Sequence, residues 1–123
     1  MQSESIYKDH FHKELKAFMK DLIKVFPEDR EIKMLSSSLN IAMMDDPEDS
    51  VITKFYHSFA PCEGYIDIKD ESMFYNKVIQ SDLELLSQLG NYWGRLNSEN
   101  KETVWNYVKV LYYLSKSFLV QKK

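Results

Sequence analysis

Apolar residues recur along this chain mostly in steps of three and four. Between Ser5 and Phe26, the positions Phe11, Leu15, Phe18, Leu22 and Val25 are separated by four, three, four and three residues. At about 100° per residue they form one stripe of a helix, widened by Met19 and Phe26. Phe26 precedes Pro27, whose ring disfavours helical geometry at the residue before it, so the first helix ends there. Pro27, Glu28 and Asp29 suit the first turn of a second helix: proline loses no hydrogen bond there, and acids complement the helix dipole. Its stripe is Ile32, Leu35, Leu39 and Met43. Asp46 before Pro47 predicts the N-cap of a third helix, with Val51 or Ile52, Phe55 and Phe59 facing inward and Pro61 marking its end.

The stretch "PCEGYIDIKDESMFYNK" breaks this period. Tyr65, Ile66 and Ile68 suit a short extended piece, and Asp70 suits the cap of a single turn carrying Met73 and Phe74. A fourth helix is predicted from Ser81 to Leu96, with Leu83, Leu86, Leu89 or Gly90, and Trp93 on one face. Gly90 has no side chain there, which lets another helix approach closely. Asn97 or Ser98 caps the final helix, which runs almost to the C-terminus. The expectation is an all-α fold, one domain over residues 1–123. It is a bundle of about five helices, with an ordered irregular loop over Cys62–Asn76.

The final helix is unusually wide in its apolar face. Val104, Trp105, Tyr107, Val108, Leu111, Tyr112, Leu114, Phe118 and Leu119 fill an arc of about 180°, where a peripheral helix needs roughly 100°. Such a helix touches neighbours on more than one side, so it is central to the bundle or shared with a second subunit. Val110, Tyr113 and Val120 fall outside the arc, on the flank marked by Asn106 and Ser117. With Tyr65, Phe74 and Tyr75 of the loop they form a candidate interface, for a homodimer or for another protein, since aromatic residues are enriched at interfaces.

Composition narrows the function classes. The chain has 123 residues, 44% of them hydrophobic and 28% charged, which is enough apolar material for a packed core without staples. Its single cysteine, Cys62, excludes an intrachain disulfide framework and fits a reducing compartment. The opening "MQSESIYKDH" is polar and unlike a signal peptide, and the longest apolar run, Val110 to Leu114, is far short of the roughly 20 residues of a membrane span. The expected location is therefore inside the cell, in cytoplasm or nucleus, without a membrane anchor. A formal net charge of −3 argues against broad capture of nucleic acid. One local feature is basic: Lys13, Lys16, Lys20 and Lys24 recur on one face of the first helix, a candidate site for phosphates or an acidic partner. Asp9, Glu14 and Asp21 interrupt or flank it, and no arginine is present to fork onto phosphate. A solvated helix face is the ordinary account of such a stripe.

Few residue patterns carry chemistry. His10 and His12 lie about 200° apart on a helix and cannot share a metal there. His57 and Cys62 are close in sequence, which says little about a nucleophile and base that must meet in space. The pattern contains no CxxC, HxxxH, HExxH, GxSxG, P-loop or GxGxxG after a strand. Asp45 with Asp46, and Asp70 with Glu71, sit at predicted helix starts, where capping explains them. The reading is a non-enzymatic protein with no catalytic, metal-binding or cofactor-binding residues. The second reading is a module that binds nucleic acid or an acidic partner through Lys13, Lys16, Lys20 and Lys24, and a small hydrolase or thiol enzyme around Cys62 and His57 ranks third.

The blocks "LIKVFPED", "ITKFYHSF", "IKDESMFYNK" and above all "SENKETVWNYVKVLYYLS" are spread from Leu22 to Ser115, and the likeness they carry extends over most of the chain. In them the sequence resembles a group of small helical proteins encoded by nucleocytoplasmic large DNA viruses, marseillevirus-like ones in particular. The resemblance implies a compact helical protein made in infected cells, and extends to packaging in the particle. It brings no catalytic residues with it.

Overall fold

A computed structural model gives the structure of the chain and describes residues 2–70, 76 and 84–122. Among the described residues there are six α-helices and no strand: α1 (Gln2–Val25), α2 (Arg30–Met44), α3 (Ser50–Phe59), α4 (Glu63–Asp67), α5 (Glu84–Trp93) and α6 (Ser98–Lys122). A 3₁₀ turn over Ala60–Cys62 joins α3 to α4. The two long helices, α1 and α6, pack along each other at the centre; α3 and α4 lie against α6, and α2 lies against α1.

The predicted stripes are the core. Phe11, Leu15, Phe18 and Met19 of α1, Ile52, Phe55 and Phe59 of α3, and Val108, Leu111, Tyr112 and Phe118 of α6 are each at most 2% exposed. Rings meet edge-to-face or offset, the favoured aromatic geometries: Phe11 and Phe55 at 5.4 Å between centroids, Trp93 and Trp105 at 5.8 Å. The wide apolar arc of α6 has its explanation inside the chain. Its residues face α1, α3 and α4 in turn, so its width follows from a central position and no second subunit is needed to cover it.

Three local expectations are corrected. Pro27–Asp29 precede the second helix instead of opening it; α2 starts at Arg30, and Asp29 is its N-cap, accepting from the Ile32 amide at 3.1 Å. The third helix begins at Ser50, after a turn in which Asp49 is left-handed at φ 55°. Asp46 still serves that end, because its carboxylate reaches forward to the amides of Ser50 at 2.9 Å and Val51 at 3.1 Å. The segment predicted as extended at Tyr65, Ile66 and Ile68 is helical through Asp67. Glu63–Asp67 follow the 3₁₀ turn directly, and only Ile66 of this short helix is buried. Asn97 caps α6, its Oδ1 accepting from the Asn100 amide at 2.8 Å. The turn expected at Met73 and Phe74 lies outside the described residues, as does the start of the fourth helix at Ser81 with Leu83.

Candidate functional site

The flank of α6 singled out in the sequence is only partly free. Val110 and Val120 are exposed, at 45% and 62%. Tyr113 is half-buried and engaged: its hydroxyl donates to the Asp67 carboxylate at 3.0 Å, its ring meets Tyr112 edge-on, and the Lys116 ammonium lies 5.8 Å from its centroid. Tyr65 is exposed on α4, while Phe74 and Tyr75 lie outside the described residues. So the α4–α6 face is largely a set of tyrosine–acid ties within the chain. Lys69 of the turn after α4 also pairs with Glu102 of α6.

Two further tyrosines follow the same rule. The Tyr107 hydroxyl donates to Asp21 of α1 at 2.5 Å while its ring stacks on Phe18; burial, then this carboxylate, pushes the phenol up to about 12. The Tyr92 hydroxyl donates to the cap residue Asp29 at 3.1 Å, and Arg95 lies over the rings of both Phe26 and Tyr92, at 4.8 and 5.2 Å from their centroids. These ties hold α6 to α1, and the end of α5 to the α1–α2 corner. Their chemistry is structural: burial first, and a carboxylate second, hold each phenol in its neutral, donating form.

Among the described residues, three of the four most exposed large apolar side chains are on α2, where the sequence reading placed no interface; the fourth is Ile68 in the turn after α4. Met34, Ile41 and Met44 are 69%, 70% and 83% exposed. They are separated by seven and three residues and lie roughly opposite the buried row of Ile32, Leu39 and Met43. That spacing was available in the sequence, as a second apolar row on one helix. Met34 also lines a cleft of about 240 Å³ with Leu35 and Ser38, closed on the far side by Gln88 and Tyr92 of α5.

Of the predicted basic row, Lys13, Lys16, Lys20 and Lys24 are all exposed on α1. The structure brings Lys16 and Lys20 into a groove with Ser36 and Asn40 of α2, and leaves Lys24 at a separate depression beside Asp21 and Tyr107. His10 is exposed, and His12 is half-buried with Nε2 shielded from solvent and without a partner among the described residues. Burial lowers the His12 pKa, and Lys8 lowers it further. His57 is exposed at the end of α3, edge-on to Tyr56. Cys62 closes the 3₁₀ turn, and its side chain lies outside what the structure describes. No three His, Cys, Asp or Glu side chains among the described residues are grouped to hold a metal ion, and no described helix is long and apolar enough to cross a membrane.

Compared with family models, with curated proteins and with solved structures, the chain matches none.

Proposed function

We propose that this is a non-enzymatic interaction protein that associates with itself and binds another protein, in the setting of a large DNA virus. The observation that carries the reading is the exposed row of Met34, Ile41 and Met44 on α2. Long apolar side chains scattered singly on a surface need no explanation, but three in register on one helix are a patch. Covering one such side chain fully is worth about 1.5–3 kcal/mol, and methionine adapts its shape to a facing surface. Val110 and Val120 of α6 offer a second, smaller face. The blocks quoted from the sequence support the viral setting, and packaging in the particle belongs to the same proposal.

Light scattering behind a sizing column, over a tenfold concentration range, tests it. The expected mass exceeds the monomer's 14.6 kDa. Met34→Glu with Ile41→Glu returns the monomer with helical content unchanged, whereas Val110→Glu with Val120→Glu leaves the assembly intact. A monomer at every concentration overturns self-association. Loss only in the valine pair moves the interface to α6.

A further inference from the structure

The groove between α1 and α2, about 350 Å³, is built from Lys16, Lys20 and Ile23 on one side and Ser36 and Asn40 on the other. Each helix presents these residues in steps of three or four, so each side is one row. On α2 the row continues three residues back to the exposed Lys33. Neither Lys16 nor Lys20 is ion-paired among the described residues.

What distinguishes this groove from an ordinary mixed surface is where the acids went. Asp21 faces the opposite flank of α1, where it accepts from Tyr107 of α6, and Glu14 acts on the same phenol. On α2, Glu31 lines the cleft toward α5. Asp9 stands one helical turn before Lys13 and marks the end of the basic row. Among the described residues the groove is thus lined by two ammoniums, a hydroxyl, an amide and one apolar side chain, with no carboxylate.

We propose that the α1–α2 groove binds an acidic segment of a partner protein, with carboxylates on Lys16 and Lys20 and with Ser36 and Asn40 bonding to its backbone. This rests on the reading of the chain as an interaction protein and names the partner's chemistry. A polypeptide fits better than a nucleic acid. Among the described lining residues no aromatic ring is there to stack a base, whereas the Ser36 hydroxyl and the Asn40 amide suit the donors and acceptors of a peptide backbone. A second copy of this chain fits poorly. In its acidic run, Asp46 is engaged by Ser50 and Val51 and Asp49 by Lys8, which leaves Asp45 and Glu48 alone.

The test is fluorescence anisotropy of a labelled oligoglutamate peptide with the full chain, beside an oligothymidylate of equal charge. The expected result is saturable binding to the peptide that weakens as salt rises and falls at least about tenfold in Lys16→Glu with Lys20→Glu. Ser36→Asp with Asn40→Asp, which leaves α1 untouched, weakens it likewise. Lys54→Glu with Lys109→Glu, an equal charge change elsewhere, leaves it within about twofold. Circular dichroism confirms that each variant is folded. Equal loss in the Lys54 and Lys109 variant, tighter binding of the oligothymidylate, or no binding at low salt overturns the groove. Light scattering on the same samples reads self-association separately, so the groove can fail while the apolar interface stands.

Discussion

The Tyr112 hydroxyl donates to Glu63 Oε1 at 2.6 Å, joining residues 49 positions apart. The tyrosine is 1% exposed, so its ring belongs to the core while its oxygen meets the first residue of α4. Lys116 donates to the same carboxylate oxygen at 2.8 Å. The Lys116 contact first, and the phenol second, hold the Glu63 carboxyl below its ordinary range; burial first, and Glu63 second, push the Tyr112 hydroxyl up. A five-residue helix with only Ile66 buried depends on such ties, the other being Tyr113 to Asp67 at its far end.

Removing the two partners of Glu63 should have unequal effects. Tyr112→Phe keeps the ring, including its stack on Tyr56, and loses a buried donor, for about 0.5–1.5 kcal/mol. Lys116→Met removes an ammonium that is 41% exposed opposite a carboxylate 37% exposed, a solvent-screened pair whose loss costs less than that of the phenol and less again in salt. Urea denaturation with a constant slope checks both. A larger loss from Lys116→Met would show that the ion pair, and not the phenol, fastens α4.

Capping sets the acid limb of stability. Burial raises the Asp46 carboxyl, but the Ser50 hydroxyl and the amides of Val51 and Ser50 together outweigh it, so the net shift is downward from 3.8. Asp29 is shifted the same way, mainly by the Ile32 amide. A carboxyl depressed on folding contributes stability that is present above its unfolded pKa and lost as pH falls through the folded one. Asp46→Ala should cost about 0.5–2 kcal/mol at neutral pH and flatten the decline of the thermal midpoint below about pH 4. An unchanged acid limb would remove Asp46 from it.

His12 governs a different window. Its pKa is lowered from 6.5, first by burial and then by Lys8, so the folded protein holds it neutral while the unfolded chain takes up a proton. Its contribution is complete above 6.5 and is lost as pH falls from there toward the folded value. The thermal midpoint should therefore drop in mildly acidic buffer, and His12→Gln should remove that part of the drop. A His12→Gln profile parallel to the wild type would assign the slope to other groups.

The helices were legible because their apolar spacing reports burial directly: Phe11, Leu15, Phe18 and Leu22 of the first stripe are all core. Helix starts were read less well, since the proline and acid signals at Pro27 and Pro47 mark the turn before each helix as well as a first turn. Tyr65–Ile68 was misread because an alternating triplet also fits one turn of helix with Ile66 inward. The lysine row was visible, but its partners Ser36 and Asn40 were not, because a groove between two helices depends on which flank of each is left open. Tyr113 looked free because a sequence pattern cannot show that Asp67 would fold back to meet it.

The central position of α6 leads to a sharp contrast between neighbours in sequence. Leu111 is fully buried, so Leu111→Ala removes core contacts and leaves a cavity, for about 2–5 kcal/mol. Val110, one residue earlier and 45% exposed, lies on the outer flank, so Val110→Ala should change stability by no more than about 0.5 kcal/mol. Denaturation of both variants at low protein concentration, where any assembly is dissociated, isolates the subunit. A substantial loss from Val110→Ala under those conditions would mean that the flank is covered within one chain, and the valines would then leave the list of candidate contacts.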